Sequence, residues 1–118
     1  MKRALAIVAA TVLAVSPAPA AAQAASFMLV NNTDIPLTAI EARRFGTQQW
    51  RQVVVAPTPV AASGGQGTAD FSDEECAFDL QATLPDGRRV VWRAVNLCEA
   101  RVVTLNRTAD GQLWVDYR

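Results

Sequence analysis

The stretch Cys76-Ala77-Phe78-Asp79-Leu80-Gln81-Ala82-Thr83-Leu84-Pro85-Asp86-Gly87-Arg88-Arg89-Val90-Val91-Trp92-Arg93-Ala94-Val95-Asn96-Leu97-Cys98 decides the fold. Its first half alternates strictly. Cys76, Phe78, Leu80, Ala82 and Leu84 hold one parity, and Ala77, Asp79, Gln81 and Thr83 hold the other. That is the period of a strand with one face buried. Pro85-Asp86-Gly87 is turn chemistry. Proline presets φ, aspartate suits the next position, and glycine accepts the positive φ of a type I turn with a G1 bulge. The chain then returns as a second strand, with Val90, Trp92 and Ala94 at one parity and Val91, Arg93 and Val95 at the other.

Register follows from making the apolar faces agree. A loop over Pro85 to Gly87 pairs Leu84 with Arg88, Ala82 with Val90, Leu80 with Trp92 and Phe78 with Ala94. It leaves Gln81 and Arg93 on the polar side and Trp92 in the core. Slipping one residue would turn a whole strand over. In this register Cys76 faces Asn96, and Cys98 is a diagonal neighbour. A bridge needs Cα atoms within about 7 Å, so the base of the hairpin has to adjust. We expect a structural disulfide between Cys76 and Cys98. Zinc wants four ligands and a redox pair wants a C-x-x-C motif. Here 21 residues separate the cysteines and the chain has no histidine. Closing the loop contributes about 3 kcal/mol on a chain-entropy argument.

Outward from the hairpin the chain keeps to strands and turns. Ser26 to Asn31 is a short apolar run ended by the turn cluster Asn31 to Asp34. Ile35 to Arg43 continues it, with a parity slip near Ala39 and Ile40 that reads as a bulge. Trp50 to Ala56 is apolar and extended, and Pro57 and Pro59 interrupt it. Ser63 to Gly67 has the composition of the most flexible segment. Thr68 to Phe71 is a short strand before the acidic turn Ser72 to Glu75. Arg101 to Asn106 and Gln112 to Tyr117 are strands joined by an Asp110-Gly111 turn. Seven or eight short strands and no helical period predict an all-β fold, a small antiparallel sandwich or open barrel with one disulfide.

The N-terminus reads as an export leader. Met1-Lys2-Arg3 is basic, Ala4 to Val15 is uncharged, and Ser16-Pro17 precedes small residues that contain several A-x-A sites. These are the parts of a secretory signal peptide. The apolar run is shorter than the roughly 18 residues that span a bilayer. The expected division is a signal peptide over 1–25, cleaved near residues 20–25, and one exported domain over 26–118, periplasmic or secreted. There is no twin arginine and no cysteine at the cleavage region. After cleavage nine arginines face eleven acidic residues, a net charge of −2, and no lysine remains. A mildly acidic domain has no electrostatic case for nucleic acid or an anionic membrane. No apolar segment after Val15 is long enough to span a membrane.

Catalytic inventory is thin. Without histidine there is no Ser-His or Cys-His pair, and without lysine no Ser-Lys dyad or Schiff base. We therefore expect no catalytic residues, no cofactor and no metal. The acidic group Asp70, Asp73, Glu74, Glu75 and Asp79 has oxygens for calcium but no loop motif, and reads as a solvated turn. Gly64 to Gly67 lacks the helix or lysine that a phosphate cradle needs. Arg43-Arg44 and Arg88-Arg89-Arg93 read as solvated charge. The candidate binding surface is aromatic: Trp50, Trp114 and Tyr117.

The block Cys76-Ala77-Phe78-Asp79-Leu80, Asp86-Gly87, Trp92, Asn96-Leu97-Cys98-Glu99 and Val103-Thr104-Leu105 resembles small exported proteobacterial proteins of unknown function. The opening Phe27-x-Leu29-Val30-Asn31-x-Thr33 and Trp50 add to the resemblance. Arg51 to Val54 depart from it, as does a longer Pro- and Ala-rich loop over Pro57 to Gly67. The resemblance implies an exported all-β domain and no activity. The expected function is a non-catalytic binding module of the cell envelope, its partner an unknown protein or envelope component. The alternatives are a small inhibitor or protective factor acting through a loop such as Ala56 to Gly67, and a carboxylate-based hydrolase.

Overall fold

The computed structural model describes residues 23–98 and 100–118. The leader expected over 1–25 lies, but for its last three residues, outside them. Nine strands follow in chain order: β1 Gln23–Asn32, β2 Ala39–Arg44, β3 Arg51–Gln52, β4 Val54–Ala56, β5 Gly65–Asp73, β6 Ala77–Thr83, β7 Arg89–Asn96, β8 Val102–Arg107 and β9 Leu113–Tyr117. They form two sheets, a five-stranded one in the order β4-β5-β1-β8-β9 and a four-stranded one in the order β3-β2-β6-β7. No helix of the described residues is long and apolar enough to cross a membrane. The expected all-β domain is therefore a two-sheet sandwich of nine strands, where seven or eight were anticipated.

The inner faces meet over a single apolar core. It takes Phe27, Leu29, Ala69, Phe71, Val103 and Leu105 from one sheet and Ile40, Ala42, Phe78, Leu80, Ala82, Trp92 and Val95 from the other. Phe71 and Phe78 meet edge to face with ring centroids 5.1 Å apart. The Trp92 indole crosses the core and its Nε1–H donates to the Asn106 carbonyl at 2.9 Å. Trp92 is buried, as the hairpin register requires.

Strand pairing corrects the sequence reading in four places. First, β1 and β8 run parallel, in a sheet expected to be wholly antiparallel. Parallel neighbours are joined by long connections, so no local turn signal reveals them. Second, the extended run from Trp50 to Ala56 is split between sheets. Arg51–Gln52 pairs with β2 and Val54–Ala56 pairs with β5. Val53 is buried at the corner, its N–H donating to Ile40 O at 2.9 Å.

Third, the glycines read as flexible are sheet. Gly65 and Gly67 pair with Asn31 and Leu29. A Cβ on Gly65 would lie 2.1 Å from Ala61 O, and one on Gly67 would lie 2.6 Å from a Val55 methyl. Glycine here serves close backbone approach rather than a turn. The preceding loop is stitched down as well. Leu37 and Val60 exchange backbone hydrogen bonds, and Ser63 and Gly64 donate to Thr33 O and Asn31 O. Asn31, fully buried, donates from Nδ2 to the carbonyls of Ile35 and Val60.

Fourth, the hairpin changes register half-way. Ala82–Val90 and Leu80–Trp92 pair as expected, but Phe78 then faces Val95 and Ala77 faces Asn96. One extra residue on β7 produces this bulge. Ala94 takes a φ of +53° and is exposed, and Val95 turns into the core. The shift of one residue is the adjustment that the cysteines needed. Leu97 N–H now donates to Cys76 O at 3.0 Å, and Cys76 and Cys98 form a disulfide with Cα atoms 5.0 Å apart. At the hairpin tip Gly87 has a φ of +86°, the positive value its turn demands.

Candidate functional site

Strand β9 ends the five-stranded sheet and carries most of the exposed aromatic surface. Leu113, Trp114 and Tyr117 are 37%, 45% and 45% exposed. The strand forms because Asp110-Gly111 turns the chain back, with Gly111 N–H donating to Thr108 O. It then pairs with β8 along its whole length, from Arg107–Leu113 to Val103–Tyr117. Alternation sends its side chains to opposite faces. Leu113, Val115 and Tyr117 follow the inward parity of Leu105 and Val103, while Trp114 and Asp116 stand on the outer face.

On the inward side, Tyr117 reaches the edge of the second sheet. Its hydroxyl accepts from Asn96 N–H at 3.0 Å. Asn96, Ala100, Tyr117 and Arg118 line a depression of about 340 Å³ between the β7 and β9 edges.

On the outer side, Trp114 sits opposite Asn106, which sits opposite Asn32. Asn32 Nδ2 donates to Asn106 Oδ1 at 2.6 Å. Asn106 Nδ2 donates to Asp116 Oδ2 at 3.0 Å and to Thr104 O at 3.3 Å. Asn106 is buried at 1% exposure, whereas Asn32 and Asp116 are exposed. A polar row thus crosses three strands beside the indole.

Trp50 lies elsewhere. It is half-buried ahead of β3, with the Arg43 guanidinium 4.5 Å from its ring centroid. Arg43 Nε in turn donates to Asp79 Oδ2 at 2.9 Å. The three aromatic residues singled out in the sequence therefore do not form one surface. Trp114 and Tyr117 share a strand on opposite faces, and Trp50 belongs to the other sheet as a partner of Arg43. The row of Asn32, Asn106 and Asp116 escaped the sequence reading, because Asn32 joins the β8–β9 hairpin only through the parallel pairing of β1 with β8.

A second cleft, of about 310 Å³, is lined by Arg44, Thr47, Gln49, Arg51 and Asp73. Asp73 is held there by Arg44 Nη2 at 3.0 Å and by Arg51. Its Oδ1 accepts from Glu75 N–H at 2.8 Å. Burial alone would raise this carboxyl, but the Glu75 N–H and the Arg44 guanidinium outweigh it and hold Asp73 below the ordinary value. Arg44 is correspondingly raised by its hydrogen bond to Asp73. Both buried aspartates, Asp73 and Asp79, are thus engaged by arginines. The loop offered as an inhibitory contact is exposed at Ala56–Pro59 and anchored at Val60.

The residues that carry the resemblance are occupied in holding the fold. Phe78 and Trp92 fill the core. Asp79 bonds the bulge. Asn96 Oδ1 accepts from Cys98 N–H at 2.9 Å. Thr33 donates to Asn31 Oδ1 from its hydroxyl at 2.6 Å.

No protein-family model matches this chain. No curated protein matches it either. Among solved structures it is similar to the NMR structure of a protein from Eubacterium rectale, at 16% sequence identity and a TM-score of 0.46, over 80% of this chain and 87% of that one.

Proposed function

We propose that this chain is exported by the general secretory route, loses its leader, and acts in the periplasm or beyond as a non-catalytic binding module. The observation that carries the reading is the exposed aromatic edge strand: Leu113, Trp114 and Tyr117 stand out on β9, which is paired along its length and tied to the second sheet through Asn96. Leu113 and Tyr117 share one side of the strand and Trp114 stands on the other, and exposed Trp and Tyr are the side chains that most often anchor interaction sites. The disulfide supports an oxidising compartment. The absence of histidine from the sequence, and of lysine from residue 3 onward, supports a role without nucleophilic catalysis.

Two measurements test this reading. The intact mass of exported protein should show a chain beginning between residues 21 and 26, two hydrogens lighter than the dithiol. Retention of the full leader, or two free thiols, would overturn the export half. For the binding half, tagged mature protein and its W114A/Y117A variant are used to capture partners from envelope extract. A component retained by the parent and lost by the variant supports the β9 surface. Equal capture by both excludes it. An inhibitor acting through Ala56–Pro59 would instead lose capture when that tip is replaced and keep it in W114A/Y117A.

A further inference from the structure

The outer face of β9 differs from an ordinary protein-docking patch. Those have an apolar centre and a polar rim. Around Trp114 the same-face neighbours are an amide, Asn106, a carboxylate, Asp116, and a hydroxyl, Thr104. Neighbouring strands lie about 4.8 Å apart, and same-face residues along a strand about 6.8 Å apart. Asn32, Asn106 and Trp114 therefore span roughly 10 Å in one direction, and Trp114 to Asp116 about 7 Å in the other. One indole with fixed donors and acceptors at that spacing matches the dimensions of a sugar ring.

From this arrangement, and resting on the binding-module reading above, we infer that the Trp114 face binds a neutral, gluco-configured oligosaccharide. The axial C–H face of such a pyranose is apolar and packs flat on an aromatic ring, while its equatorial hydroxyls need both donors and acceptors at the rim. The buried Asn106 amide is fully committed to Asn32, Asp116 and Thr104. It locks those two exposed side chains in place. Asp116 Oδ1, and Asn32 Oδ1 with its second amide hydrogen, remain without a partner among the described residues. The backbone below is equally fixed, because the Asn106 carbonyl accepts from the core indole of Trp92. A carboxylate in the row selects against anionic sugars.

The test titrates the mature, disulfide-bonded protein with cellotriose, chitotriose and a galacturonate trisaccharide. The readouts are indole fluorescence and amide NMR shifts. A shallow one-indole platform should give a Kd on the order of 1 mM for the neutral sugars. The Trp114 indole N–H and the Asn32 and Asn106 side-chain amides should move, and the galacturonate should have no effect. W114A should weaken binding at least about tenfold, W114F should recover part of it, and W50A should leave it unchanged. Unperturbed backbone spectra elsewhere show that the variants keep the fold. Absence of shifts with both neutral sugars, or shifts that persist in W114A, overturns the inference. If the sugars are inert and capture from extract still depends on Trp114 and Tyr117, the ligand class is wrong and the binding surface stands. If both fail, the binding-module reading falls with it.

Discussion

Asp79 Oδ1 accepts a 3.0 Å hydrogen bond from the backbone N–H of Ala94, the β7 residue held at a φ of +53°. A residue that leaves the ladder in a bulge loses its cross-strand partner. Asp79 supplies that partner from within β6 while its other oxygen takes Arg43. The aspartate thereby selects the register of everything below it: Val95 in the core, Asn96 opposite Ala77, and Cys98 beside Cys76.

Removing the carboxylate should be expensive. The Asp79 side chain is 1% exposed and that of Arg43 20% exposed. Asp79→Ala leaves the Ala94 N–H and the Arg43 guanidinium unpaired, and breaking one side of a buried pair costs roughly 3–5 kcal/mol. Urea denaturation of the oxidised protein should show a loss of about 3 kcal/mol or more, with Asp79→Asn falling between parent and alanine variant. A loss under about 0.5 kcal/mol, the range of ordinary surface substitutions, would mean that the bulge holds itself.

The same geometry predicts a stabilising change. An L-residue in the left-handed region bears a cost of about 1–2 kcal/mol that glycine avoids. Glycine loses part of this gain, about 0.4–1 kcal/mol, through the freedom it has when unfolded. Ala94→Gly should therefore raise stability by about 0.5 kcal/mol, and the amide spectrum should keep the Asp79–Ala94 bond. Destabilisation would show that the Ala94 methyl contributes a contact of its own.

The features legible in the sequence are local ones. The Asp86-Gly87 turn, the upper half of the hairpin register and the burial of Trp92 all follow from residues within a few positions of the turn. The lower half does not, because the left-handed residue is an alanine, and nothing in its side chain announces a positive φ. Gly65 and Gly67 have the composition of a turn, yet their reason is steric, set by Ala61 and Val55 packed against them. The outer-face row was hidden for a third reason. Asn32 and Asn106 are 74 positions apart and meet only through a parallel pairing that no hairpin signal encodes.

The disulfide should matter for stability more than for shape. Backbone bonds already bring its ends together, with Leu97 N–H on Cys76 O. Its loop closes over a separation of 22 residues, worth about 3 kcal/mol in unfolded-state entropy. A Cys76→Ser/Cys98→Ser variant should lose close to that amount and keep its strand pairing at low temperature, read by denaturation and by amide NMR. An unfolded variant would show that the bulged base cannot hold its register uncrosslinked.

Acid should attack a second tie beside the disulfide, where Asp73 accepts the Glu75 N–H and the Glu75 carbonyl lies 3.5 Å from Cys98 Sγ. Asp73 joins β5 of one sheet to Arg44 on β2 and Arg51 on β3 of the other. The Arg51 guanidinium also lies 4.7 Å from the Phe71 ring centroid, so the cluster closes that end of the core. Burial opposes ionisation of Asp73, yet the Glu75 N–H and Arg44 lower its pKa below the ordinary value. A group whose folded pKa is depressed contributes stability that is present above its unfolded value, about 3.9 for aspartate. That stability is lost as the pH falls through the folded value. Denaturation midpoints should accordingly stay level on this account above about pH 5 and decline below about pH 4. Asp73→Asn should be less stable than the parent at neutral pH, with a shallower decline in acid. Parallel acid profiles for the two proteins would place the acid-sensitive carboxylate elsewhere, with Asp86 and Asp110 next to be replaced. Both are also lowered, Asp86 by the Arg88 N–H and Asp110 by the Thr108 hydroxyl.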